Sequence, residues 1–129
     1  MYLMSLVEDK ALVEASLGGR VTAGEVKAFG EELEAYLDHA ELIAYNLLLD
    51  FSKASLLTGD AAQAVNAMKD RCLEAGAAKI ITVTQDSDEV ARQTSMRIQM
   101  VLEGREQFVA DPDDAMFEAV KPNIQRKAA

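Results

Sequence analysis

Two nearly continuous apolar runs constrain this chain more than any other feature: YNLLLDF at 45–51 and AKIITVT at 78–84. Each has the length of a strand, and unbroken apolar character over that length marks a strand covered on both faces. Between them, DAAQAVNAMKDRCLEAG (60–76) changes period. Its residues Ala61, Val65, Met68 and Cys72 recur every three or four positions, the spacing of one helical stripe. Gly76 stands where a left-handed C-terminal stop is expected. Strand, amphipathic helix and second buried strand make the repeating unit of a parallel sheet with crossover helices.

The pattern extends in both directions. Upstream, TAGEVKAFGEELEAYLDHA (22–40) opens with Thr22 and Glu25 in capping-box spacing. Val26, Phe29, Leu33, Tyr36, Leu37 and Ala40 then form one apolar stripe, while Glu31, Glu32 and Glu34 take much of the rest. Before it, YLMSLVED and ALVEASLGGRV read as a hairpin. Leu12, Glu14 and Ser16 fall on one face of its second strand and Val13, Ala15 and Leu17 on the other; Gly18–Gly19 ends that strand or introduces a bulge. Downstream, Asp86 and Glu89 repeat the capping spacing for a helix over 87–103. On that helix Val90, Thr94, Ile98, Val101 and Leu102 form the inward stripe, and Met96 and Met100 fall outward among Arg92, Gln93, Arg97 and Gln99. REQFVAD is a last, more polar strand; Asp111 and Pro112 open a closing helix whose apolar side is Ala115, Met116 and Val120. The fold class is α/β: a mixed, mainly parallel sheet with an N-terminal antiparallel hairpin, in the order ββαβαβαβα.

With 129 residues, the chain suffices for one domain, expected over 1–120, with KPNIQRKAA (121–129) as a short basic flexible tail. No apolar stretch approaches the roughly 20 residues of a membrane helix, and the N-terminus lacks a basic leader, so neither insertion nor secretion is expected. One cysteine, Cys72, cannot make an internal disulfide, which fits a reducing compartment; the expected location is the cytoplasm. A net charge of −9 disfavours nucleic acid and anionic lipid and favours a partner with a basic face. His39, the only histidine, stands at a helix end without companion ligands, so no metal site is expected. The acidic clusters DSDE and DPDD sit at helix starts, where carboxylates cap amides, and lack calcium-loop geometry. No phosphate loop, cofactor motif or acid–base–nucleophile set is present, so no catalytic residue is assigned and the chain is expected not to be an enzyme.

The segment LLLDFSKASLLTGDAAQAV (47–65) joins a strand C-terminus to a helix N-terminus, where open parallel sheets gather function. Taken alone, Thr58 or Asp60 is an ordinary N-cap. The segment also resembles the centre of the STAS domain, the anti-sigma factor antagonist family, whose pattern is Asp-Leu-Ser, a spacer, an apolar pair, then Asp-Ser-Ser-Gly entering a helix. Asp50, Phe51 and Ser52 fit the first element, and Ser55, Leu56 and Leu57 the approach. Thr58, Gly59, Asp60 and Ala61 occupy the tetrapeptide, so Asp60 stands at the serine that the family phosphorylates. GGRVTAGEVKAF, CLEAGAAKIITV and FVADPDDAMFEA resemble the elements around it, covering about 6–120 in order. Small bacterial STAS-like, CRAL-TRIO-related proteins, which commonly lack the phosphoacceptor, are a neighbouring match.

The resemblance implies a non-enzymatic regulatory module that docks a protein partner, a kinase-like anti-sigma factor or another regulator. The expected contact residues are Ser55, Thr58, Gly59, Asp60 and Gln63, on a helix face that also includes Ala67 and Asp70. Met96 and Met100 form an expected secondary surface, suited to a second partner or a homodimer. A carboxylate at position 60 carries one charge where phosphoserine carries nearly two, so the position is acidic but not switchable. The alternative is a small-molecule or lipid carrier with an aliphatic pocket between sheet and helices.

Overall fold

The structure, a computed structural model, describes residues 2–40, 44–57 and 59–120. Among the described residues, five strands form one sheet in the order in which they occur in the chain. β1 (Tyr2–Val7) and β2 (Leu12–Leu17) are the antiparallel hairpin, closed by a short 3-10 turn and by Ala11 at φ +47°. β3 (Tyr45–Asp50), β4 (Ala77–Val83) and β5 (Glu106–Val109) add in parallel, one beside the next. The helices are α1 (Ala23–Ala40), α2 (Gly59–Ala75), α3 (Ser87–Met96), α4 (Ile98–Leu102) and α5 (Pro112–Ala119).

Because each crossover steps one strand in the same direction, right-handed connections keep α1, α2 and the α3–α4 segment on one face of the sheet. The main core lies there: Val13, Ala15 and Leu17 of β2 and Leu47 and Leu49 of β3 meet Phe29 and Leu33 of α1 and Val65 and Met68 of α2. The opposite face has α5, whose Ala115 and Ala119 pack on Leu12, Leu48, Ile81 and Val83. Asn46 ties that helix down by donating its amide to the Ala119 carbonyl at 2.8 Å. Both faces of β3 and β4 are therefore covered, as their continuous apolar runs require.

The caps stand where the sequence puts them. Thr22 Oγ1 accepts from the Glu25 amide at 3.1 Å, Asp86 Oδ1 from the Glu89 amide at 2.8 Å, and Asp111 Oδ1 from the Asp113 amide at 2.8 Å with Pro112 beside it. Gly76 stops α2 at φ +137°, its amide on the Cys72 carbonyl. The helix expected over 87–103 is two helices, broken at Arg97 (φ −116°, ψ 28°). The expected tail, 121–129, lies outside the described residues.

Candidate functional site

The loop after β3 is braced from three sides. Asp50 Oδ1 accepts from the Ser52 amide at 2.8 Å and turns the chain at the strand end. The Gly18–Gly19 pair ends β2, and Gly19 then exchanges backbone hydrogen bonds with this loop: its amide donates to Lys53 O at 3.1 Å and its carbonyl accepts from Ser55 N at 2.9 Å. From beyond β4, Gln85 donates its side-chain amide to the Ala54 carbonyl at 3.0 Å. Phe51, Ala54 and Leu57 are buried below, while Ser55 and Leu56 face solvent. The Asp50 carboxylate, the Gly19 backbone and the Gln85 side-chain amide, from three strand ends, thus hold the loop in place.

α2 starts immediately after. Gly59 takes φ +56°, a left-handed conformation that glycine adopts without a Cβ clash. Asp60 is next, in the first turn, exposed among the unpaired amides and the positive end of the helix dipole. Gln63 is exposed one turn on, and so is Ala67. Asp70 is exposed too, but it is engaged by Arg97. Thr58 lies outside the described residues. Ser55, Gly59, Asp60 and Gln63 therefore lie together on the surface at the C-terminal end of the sheet.

A groove runs beside that surface, with Leu57, Ala62 and Val65 on one wall and Arg92, Gln93 and Met96 on the other. Met96 is exposed and accepts from the Arg92 guanidinium at 3.2 Å, so it borders the same face as the loop. Met100 does not join it; contrary to expectation it is half-buried against the main core. Ile98 and Leu102, expected inward, are 47% and 76% exposed. Val90, Thr94 and Val101 are half-buried, but so are Gln93, Arg97 and Met100, and the one buried residue of α3 is Glu89. Buried Glu89 accepts from both Arg92 and Gln93, and Arg92 holds its carboxyl below the usual carboxylate range. Paired charges can point inward, and an amphipathic reading assigns them to the surface.

Arg97 turns in for a partner on β5. Its Nε donates to Glu106 Oε2 at 2.8 Å, and its Nη2 contacts the same oxygen and Asp70 Oδ1. Glu106 also faces the Lys69 ammonium at 3.4 Å, both side chains being fully buried, with Lys69 Nζ 4.5 Å from the centre of the Phe108 ring. Burial lowers the Lys69 pKa to about 8, against the opposing pull of Glu106. Sequence reasoning misses this cluster, although a signal for it is present. Lys69 is four residues after Val65, on the inward side of α2, and Glu106 alternates with Phe108 on the core side of β5.

At the other end of the sheet a cleft of about 460 Å³ opens between the C-terminal halves of α1 and α2. Its floor is apolar, with buried Gly30, Leu33, Tyr45, Met68 and Cys72. Its exposed rim carries Glu34, Asp38, Glu74 and Arg71. Tyr45 Oη is buried without a hydrogen-bond partner among the described residues. Burial and the neighbouring Cys72 thiol push the phenol far above its ordinary range, and burial pushes the thiol up as well. Among the described residues, no three His, Cys, Asp or Glu side chains converge as a metal site, and no helix is long and apolar enough to cross a membrane.

No protein-family model and no curated protein matches the chain. Solved structures do. A DUF3478-family protein from Shewanella loihica PV-4, described as uncharacterised with a SpoIIAA-like fold, matches at a TM-score of 0.59 and 15% identity. The match covers 92% of both chains. At that identity the likeness speaks to the fold. The chain has the SpoIIAA-like, STAS-type fold that residues 47–65 resemble in sequence.

Proposed function

We propose that this chain is a non-enzymatic regulatory module of the STAS type that docks a protein partner through the loop and helix mouth at 55–63. One observation carries the reading: the loop is braced by β2 and by Gln85, and it presents exposed Asp60 at the start of α2. A rigid surface with one fixed charge costs a partner little ordering on docking. The partner is a protein with a basic or polar face, either a kinase-like anti-sigma factor or another regulator. Met96 extends the contact across the groove, and the same face would serve a homodimer. Asp60 has no hydroxyl to phosphorylate, so docking is not switched at that position. Neither nucleic acid nor a membrane enters this reading, and its setting is the cytoplasm.

The test is affinity capture from native host lysate with Asp60→Ser and Asp60→Lys. Both variants are expected to change the captured set while stability stays within about 1–2 kcal/mol, the range of a lost cap. Identical capture profiles from folded wild type and both variants reject the reading.

A second reading, a small-molecule or lipid carrier, is favoured by a separate observation: the α1–α2 cleft of about 460 Å³ with its apolar floor. Native mass spectrometry is expected to find a small molecule retained by the purified chain.

A further inference from the structure

The α1–α2 cleft combines three features that narrow what it can hold. Its floor is aliphatic and sulfur-bearing, through Leu33, Met68 and Cys72. Its rim carries the carboxylates of Glu34, Asp38 and Glu74, and the Arg71 guanidinium reaches from the rim to Gly30. At the base, Tyr45 is 97% buried (3% exposed), and its hydroxyl has the weakly accepting Cys72 thiol beside it but no oxygen or nitrogen acceptor among the described residues.

Each feature selects a chemical group. The floor takes an apolar body. The acidic rim favours a cation, in a molecule that already carries a net charge of −9. α1 and α2 both direct their C-terminal ends toward this part of the molecule, so the negative ends of two helix dipoles add to the preference. The Tyr45 hydroxyl favours a hydrogen-bonding group at depth, because a ligand oxygen is a stronger acceptor than the neighbouring Cys72 thiol.

We infer that this cleft binds a small amphipathic amine whose far end carries a hydroxyl or carbonyl. The ammonium sits among Glu34, Asp38 and Glu74, the chain lies on Leu33 and Met68, and the distal oxygen meets Tyr45 Oη. This inference rests on the carrier reading and adds a ligand class to it. The cleft lies at the opposite end of α2 from Asp60, so it is separate from the proposed docking face.

The full-length chain, labelled with 13C at its methionine methyls, is titrated with ω-aminooctanol, n-octylamine and ω-hydroxyoctanoate, tracking the Met68 resonance. Aminooctanol is expected to bind at least about tenfold more tightly than hydroxyoctanoate at low salt, with the gap narrowing as salt screens the rim. It is also expected to bind more tightly than octylamine. Tyr45→Phe, which removes the hydroxyl and keeps the ring, should erase the advantage over octylamine and leave the affinity for octylamine unchanged. Equal or tighter binding of hydroxyoctanoate overturns the amine assignment and leaves the carrier reading standing. An advantage of aminooctanol that survives in Tyr45→Phe overturns the placement of the distal oxygen. If none of the three moves Met68 at millimolar concentration, both the assignment and the carrier reading fall.

Discussion

Gly59 decides how far this loop can resemble the one in the STAS pattern. The resemblance sets it at the first serine of the tetrapeptide, yet its φ of +56° is a conformation that costs an L-residue about 1–2 kcal/mol. Gly59→Ser is expected to lower stability by about that amount in urea unfolding. Asp60→Ser, on an ordinary helical turn, should cost less, so restoring the family letters at both positions strains the backbone. An unchanged midpoint for Gly59→Ser would show that the left-handed turn is not required. Lys69 makes a prediction about pH. Its folded pKa of about 8 lies below the ordinary 10.5, so between those values the unfolded chain keeps a proton that the fold has released. Stability assignable to Lys69 therefore rises with pH across that window, by about 3 kcal/mol, and the full burial penalty applies below it. Cys72 and Tyr45, both raised above ordinary values of 9.0 and 10.0, act in the opposite direction as pH rises. The observable is thus the difference between wild type and Lys69→Met, which should shift in favour of wild type from pH 7 to pH 10.5. A flat difference contradicts the assignment.

Among the elements, Glu106 is the shared anion that joins α2, the α3–α4 junction and β5 through Lys69 and Arg97. Removing it leaves the fully buried Lys69 ammonium without its carboxylate, while Arg97 keeps only Asp70. Glu106→Gln is expected to cost about 3–5 kcal/mol, the range for breaking a buried pair. Lys69→Met should cost less, because Arg97 stays on Glu106 through two nitrogens. The double variant should recover part of the Glu106→Gln loss, giving a coupling that a double-mutant cycle measures. Additive losses would mean that the three groups do not act as a unit. The break at Arg97 belongs to the same cluster, since the residue leaves helical geometry where its guanidinium meets β5. Beyond the break α4 is rotated, so Met100 packs inward and Ile98 and Leu102 face out.

For the whole molecule, the uninterrupted strand order places three crossovers on one face and gives α5 the other. Eight residues of helix therefore shield Leu12, Leu48, Ile81 and Val83. Ala115, fully buried against them, is the most sensitive point of that cover. Ala115→Asp should cost about 3 kcal/mol or more, since the carboxylate is buried without a partner. It should also raise binding of a hydrophobic dye while far-UV circular dichroism keeps most of its amplitude. A variant with wild-type stability and dye binding would show that α5 is not what covers this face. The same topology sets loop 51–57 and the mouth of α2 at one end of the sheet and the α1–α2 cleft at the other.

The sequence alone determined the strands, their order of appearance, the caps of three helices and the α/β class. These depend on local periodicity and on side chains reaching backbone within a few residues. It also placed Asp60 at a helix mouth, because position within a helix can be read from the apolar stripe. The bracing of the loop by Gly19 and Gln85, the shared groove of Leu57 and Met96, and the cleft over Tyr45 came only with the tertiary structure. Each joins residues far apart in the chain, and no local pattern encodes that proximity. The inward turn of Glu89, Arg97, Lys69 and Glu106 was decided there as well. A charged side chain reads as surface until its partner is known, and partners are chosen by packing.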